Sequence, residues 1–296
     1  MTWRFQLVLI ILTGGCFGCT QNNNADKMKT IERDNAVIDY KIEGNGDTTL
    51  LFVHGSYIDQ TYWSEQVKYF SDRYKVVTLD LPAHGLSGKG RNHWTFDGFA
   101  EDVIAVIKEL DLKNVILIGH SMAGDINLIA ATSWPAPIIG FIAVDFFKNA
   151  GTPLSPEFRK QADAILENLK KDFAGTNEQY VRKVLVTPQT PQDITNRVVT
   201  AYRAAYEPMG METMPQIFNM YPTEQKLLPR LKVKLYLINV DYIPTNEEPL
   251  KQYAVNGYEL IHMKGTSHYP MIENPEALNK LLQQVITKIS SGNKDK

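Results

Sequence analysis

Short runs of consecutive apolar residues recur along the chain, and each ends in a polar or small residue. Leu50-Leu51-Phe52-Val53 ends at His54-Gly55, Val76-Val77-Thr78-Leu79 at Asp80, and Val115-Ile116-Leu117-Ile118 at Gly119. Residues 138–144 end at Asp145, 235–238 lead to Asp241, and 258–263 lead to a loop carrying His268. These runs are continuous rather than alternating, which predicts strands of a parallel sheet covered on both faces. Residues 31–43 alternate instead and read as a strand with one wet face, with Gly44-Asn45-Gly46 as the turn after it.

Between the runs the apolar spacing becomes helical. Residues 99–110 and 275–289 are amphipathic, and 123–131 are small and apolar, suited to close packing on a sheet. Strand and helix in alternation predict an α/β fold: a doubly wound, mostly parallel sheet with right-handed crossovers. From Asp145 to Lys232 that rhythm breaks. Helical stretches at 156–172, 177–186, 190–206 and 211–220 occur with no strand among them, which predicts a helical lid inserted between two sheet strands. The expected division is a leader at 1–19, a tether at 20–30, core at 31–145, lid at 146–231 and core again at 232–296.

Composition narrows the classes. With 44% hydrophobic and 22% charged residues the 296-residue chain can bury a sizeable core, and its net charge of −2 carries no basic footprint for nucleic acid. A strongly anionic membrane surface is equally unsupported as a partner. Both cysteines, Cys16 and Cys19, lie in the first twenty residues, so the rest of the chain has no disulfide, thiolate ligand or cysteine nucleophile. Arg4, the apolar residues 7–12 and the small Thr13-Gly14-Gly15 before Cys16 read as an export signal, too short to span a bilayer comfortably. The segment resembles the lipobox of bacterial lipoproteins, with Thr13 where leucine is usual. The expectation is an exported envelope protein held by a lipid anchor at Cys16 or Cys19, the alternative being a periplasmic or secreted form.

The candidate chemistry centres on Gly119-His120-Ser121-Met122-Ala123-Gly124. A buried strand runs into a serine flanked by small residues and then into a helix, so the turn must be tight enough to lift the hydroxyl off the sheet edge. Alanine stands at 123 where the G-x-S-x-G pattern has glycine. A carbonyl attacked by Ser121 would need two backbone N–H donors for its developing charge. Met122, just after the serine, and Ser56, after His54-Gly55, are the candidates for that oxyanion hole. His268 is the candidate base, since imidazole can accept and return a proton near neutral pH; His262, inside a strand pattern, is the decoy. The acid that orients it is Asp241 in the first reading, with Asp145 the alternative. Tyr57, Trp63, Met214 and Phe218 are candidate substrate-binding residues, although each equally suits core packing. His54, His84, His120 and His268 show no ligand spacing, so no metal and no cofactor are implied.

Taken together, His54-Gly55, Asp80-Leu81-Pro82-Ala83-His84-Gly85-Leu86-Ser87, the Ser121 turn and the His268 loop resemble the α/β-hydrolase superfamily. The resemblance covers almost everything after the tether and implies a serine hydrolase with a Ser-His-Asp triad. Its substrate would be a small molecule, an ester, thioester or related carbonyl compound cleaved through an acyl-enzyme. Serine at 121 disfavours the dehalogenase and epoxide hydrolase branches, which carry aspartate there. In that family Ala83 occupies a position usually held by glycine. Two other outcomes are a C–C bond hydrolase using the same three residues and a non-catalytic binding module on the same fold.

Overall fold

The structure is a computed structural model that describes residues 29–292. The leader, Cys16, Cys19 and nearly all of the tether lie outside the described residues. Eight strands form one sheet: β1 (Lys29–Arg33), β2 (Ala36–Glu43), β3 (Thr49–Val53), β4 (Lys75–Leu79), β5 (Val115–His120), β6 (Ile138–Val144), β7 (Leu235–Val240) and β8 (Tyr258–Met263). Their order is β1-β2-β4-β3-β5-β6-β7-β8. Pairings from β4 through β8 are parallel, whereas β1–β2 and β2–β4 are antiparallel. β3, β5 and β7 are buried at every residue, as their unbroken apolar runs require.

The single strand read at 31–43 is in fact a hairpin. Asp34 and Asn35 sit at φ 50° and 58°, and Arg33 pairs with Ala36. Two successive left-handed residues make the mirror-image turn that suits the strand twist, and Asp and Asn tolerate that conformation better than other non-glycine residues.

Eleven α-helices occur among the described residues. Those around the sheet are α1 (Ser64–Phe70), α2 (Phe96–Glu109) and α3 (Ala123–Ser133), with α4 (Pro156–Leu169), α5 (Phe173–Tyr180), α6 (Gln192–Arg203), α7 (Glu207–Ile217) and α8 (Tyr221–Leu227) between β6 and β7. α9 (Glu248–Tyr253), α10 (Pro270–Glu273) and α11 (Pro275–Gly292) complete the chain. α2 packs on α3, and α1 on α11, as two layers over the sheet. Side-chain caps fix several starts: Thr95 accepts from Gly98 N–H, Ser155 from Phe158 N–H and Asp172 from Gly175 N–H. None of the described helices is long and apolar enough to cross a membrane.

The insert α4–α8 is fastened to the core by polar contacts. The Trp94 N–H donates to Glu212 at 2.7 Å, the Phe96 N–H to Gln216 at 3.0 Å and the Tyr57 hydroxyl to the Gly210 carbonyl at 3.3 Å. A π-helical turn, Val181–Leu185, continues α5, and its Leu185 carbonyl accepts the backbone N–H of His268 at 3.1 Å. π-Turns recur at functional sites because they displace carbonyls from the regular ladder.

Candidate active site

The parallel register brings three chain segments to one edge. His120 ends β5 opposite Val144 at the end of β6, and the Ser121 N–H donates to the Val144 carbonyl at 3.1 Å. Ser121 and Asp145 therefore leave neighbouring strands side by side. Both are left-handed, at φ 53° and 51°, as is Tyr57 at 59°. Non-glycine residues in that region cost about 1–2 kcal/mol each. Such strain persists where the surrounding fold over-determines it, commonly at functional sites.

Close packing fixes the Ser121 turn. A Cβ at Gly119 would lie 2.6 Å from the Ala123 carbonyl oxygen, and one at Gly124 would lie 2.3 Å from the Phe146 ring. The methyl of Ala123 is fully buried and accommodated. Glycine is needed beside this serine at 119 and 124, so alanine is tolerated between them.

His268 lies in the loop after β8. The Ser267 N–H donates to Glu273 at 3.0 Å, the Ser267 hydroxyl also pairs with Glu273, and His120 Nε2–H donates to the His268 carbonyl at 2.7 Å. The His120 and His268 rings are 4.6 Å apart. Burial, then the neighbouring His268, pushes the His120 pKa well down, so His120 is neutral and its proton sits on Nε2. His268 Nδ1 is 2.5 Å from Asp145 Oδ2. An ionised carboxylate only accepts, so the proton of this contact sits on Nδ1, which leaves Nε2 as the acceptor whenever the ring is neutral. Among the described residues the Ser121 hydroxyl makes no hydrogen bond, and none joins it to His268. Bonds of this kind are often long without substrate and tighten in the reactive complex.

The carboxylate on His268 thus corrects the first reading. Asp145 faces the imidazole, whereas Asp241 is exposed and its N–H is paired with the Met263 carbonyl. The reason is register: Asp145 leaves the strand beside that of Ser121 in a left-handed turn that swings its side chain along the sheet edge.

The other candidates separate. Met122 and Ser56 flank the elbow, and their N–H groups donate to no protein acceptor among the described residues. Trp63 is fully buried against Phe52, with its ring edge toward His120, so it is core beneath the site rather than pocket wall. Tyr57 is buried against Phe173 and Tyr202, tying insert to core. Met214 lines a separate groove with Leu166 and Pro215 because its face of α7 turns toward α4. Phe218 lines a cavity of about 250 Å³ with Phe146, Met220, Asp145 and His268; Ser121 is not part of that lining.

Two histidines brace the neighbouring loops. His54 Nδ1–H donates to the Gly55 carbonyl at 2.8 Å while its Nε2 accepts the Leu81 N–H at 3.0 Å. Burial lowers the His54 pKa to about 4, and burial with His54 beside it lowers that of His84 to about 3. Ala83, at φ 64°, takes the left-handed conformation that makes glycine usual there. Sequence reasoning missed three contacts: His120 with the His268 carbonyl, Lys148 with Asp145 at 2.8 Å, and the Leu185 carbonyl with the His268 N–H. Only Lys148 left a trace, a cation three residues after Asp145.

The alpha/beta hydrolase family model matches residues 50–281, and the chain belongs to that family. A provisionally named esterase/lipase of Haemophilus influenzae is 36% identical over 133 residues, 40% of this chain and 46% of that protein. The Karrikin insensitive 2 receptor CA of Petunia hybrida is 34% identical over 99 residues, 32% of this chain and 37% of the receptor. The matched segments span less than half the length of these curated relatives. Among solved structures, a thermophilic esterase from Thermogutta terrifontis superposes with a TM-score of 0.73 at 20% identity, covering 88% of this chain and 99% of that one. At that identity the likeness is one of fold.

Proposed function

We propose that the protein is a serine hydrolase acting on a small ester, thioester or related carbonyl compound. Ser121 attacks the carbonyl carbon, and His268 Nε2 takes the hydroxyl proton as the Ser121–acyl bond forms. The same imidazole returns the proton to the leaving alcohol or thiol as the substrate's bond to it breaks. Water, deprotonated in turn by His268, then cleaves the acyl-enzyme and restores Ser121. Asp145 holds the Nδ1–H tautomer throughout, and the Ser56 and Met122 N–H groups receive the charge on the carbonyl oxygen.

The observation that carries this reading is the 2.5 Å contact of His268 Nδ1 with Asp145, made beside a serine held in a left-handed elbow. The esterase/lipase name of the Haemophilus relative supports an ester among the substrates. The test uses p-nitrophenyl acetate and a fluorophosphonate probe. Ser121→Ala is expected to abolish turnover and labelling without unfolding the chain. Asp145→Asn is expected to lower kcat about 10⁴-fold, the size of effect known for amidating a triad aspartate. Asp241→Asn should behave as wild type; if it carried the large loss instead, the assignment of the acid would be wrong.

The reading includes export and a lipid anchor at Cys16 or Cys19, supported by Arg4, the apolar residues 7–12 and the small residues before Cys16. Mass spectrometry of the mature N-terminus checks it, an unacylated terminus opposing the anchor.

A further inference from the structure

Lys148 stands three residues beyond Asp145, and its ammonium makes one ion pair and two hydrogen bonds. Nζ lies 2.8 Å from Asp145 Oδ1, 3.0 Å from the Val240 carbonyl and 3.1 Å from the Ile243 carbonyl. It also sits 4.5 Å from the centre of the Tyr242 ring, and the side chain is 15% exposed. Two of the ammonium's three N–H donors have carbonyl acceptors here, and its charge is set against Asp145. The two carbonyls flank Asp241-Tyr242, so Lys148 reaches from the end of β6 into the turn after β7. Asp145 is therefore shared: Oδ2 meets the imidazole, while Oδ1 meets Lys148 and the Val240 N–H at 3.1 Å.

A stitch between two loops could be made by a neutral side chain. A cation on the carboxylate that faces the base does something further. It fixes the plane of the carboxylate, so that Oδ2 stays on Nδ1, and it divides the negative charge that would otherwise bind the imidazolium alone. We propose that Lys148 is a positioning residue for the Asp145–His268 pair, keeping the imidazole in register with Ser121 and easing release of the proton it has taken. This rests on the serine hydrolase reading above.

The groups facing the imidazole are His120 from β5, Asp145 and Lys148 from the end of β6, Tyr242 after β7, and Tyr269 with the Ser267–Glu273 pair on its own loop. Asp125 of α3 and Glu224 of α8 line the same cavity. Burial holds His120 neutral and pushes Tyr242, Tyr269, Asp125 and Glu224 toward their protonated forms. Lys148 is the one lysine or arginine paired with Asp145 among the described residues.

The test compares full-length wild type with Lys148→Met, Lys148→Gln and Lys148→Arg in p-nitrophenyl acetate hydrolysis across the pH range, with fluorophosphonate labelling and circular dichroism alongside. Both neutral variants are expected to lose kcat about tenfold with KM nearly unchanged. Their acid limb in the kcat/KM profile should move about one pH unit higher, because the undivided carboxylate grips the imidazolium more tightly. Arginine should restore most of both. If the methionine or glutamine variant is folded and labelled but keeps the wild-type limb and kcat, the role of Lys148 is overturned while the hydrolase reading stands. If wild type is neither labelled nor active, both fall.

Discussion

At the residue scale, the turn after Ser121 is governed by contacts that a pattern of types only partly reports. The sequence showed a strand ending in small residues around a serine, and that was enough to place the elbow, since few other arrangements need glycine and alanine there. It did not show that Phe146, the residue after Asp145, lies against Gly124. The Phe146 ring fills the space a Cβ at 124 would occupy. Gly124→Ala is expected to destabilise the fold by about 1–3 kcal/mol through overpacking. Urea midpoints would read this loss, and Phe146→Ala in the same chain should recover part of it; an additive double variant would contradict the contact. The acid was ambiguous for a related reason. Asp145 and Asp241 both follow buried strands, and only pairing between distant strands and the left-handed turn at 145 decide which carboxylate meets His268.

At the element scale, α3 and α8 meet through two buried carboxyls, Asp125 and Glu224. Glu224 accepts the Gly151 N–H at 2.5 Å, while both oxygens of Asp125 are buried without a donor other than the neighbouring carboxyl. Burial first, then the charge of Glu224, raises the Asp125 pKa well above its ordinary value, and burial raises that of Glu224. Two such groups side by side share a proton rather than ionise together. A carboxyl whose pKa is higher folded than unfolded binds more protons in the folded chain. Its stabilising contribution is full below the ordinary carboxylate range and is lost as pH rises through the raised value. Above pH 7 the buried histidines, His54, His84 and His120, are neutral folded and largely neutral unfolded, so they add little slope. Wild type should therefore carry a fall in urea stability as pH rises from the ordinary carboxylate range through the raised value, and Asp125→Asn should remove that component. An unchanged slope would mean that the two helices are not joined by a shared proton. Composition could not reveal this pair, because its members lie 99 positions apart and each alone reads as an ordinary helix acid.

At the scale of the whole molecule, the doubly wound, mostly parallel sheet was legible because continuous apolar runs leave few other folds. The hairpin at 34–35 and the short helices α1 and α9 were not, since a two-residue turn within an alternating segment and helices of six or seven residues carry little periodic signal. How the insert seats on the core was illegible altogether, being set by single side chains such as Glu212 and Gln216 that reach backbone N–H groups. The seating makes one kinetic expectation. If substrate and product pass by movement of the insert, kcat for an activated ester should fall in proportion to added sucrose viscosity. Insensitivity to viscosity would place the slow step in the chemistry instead.

The hydrogen bond from the His268 backbone to Leu185 has a bearing on water. If the insert moves aside to admit substrate, the backbone carrying the proposed base is released with it, and access and reactivity would then not both be at their highest. A molecule standing open to solvent would be chemically silent, and each catalytic cycle would begin only when closure resets the imidazole.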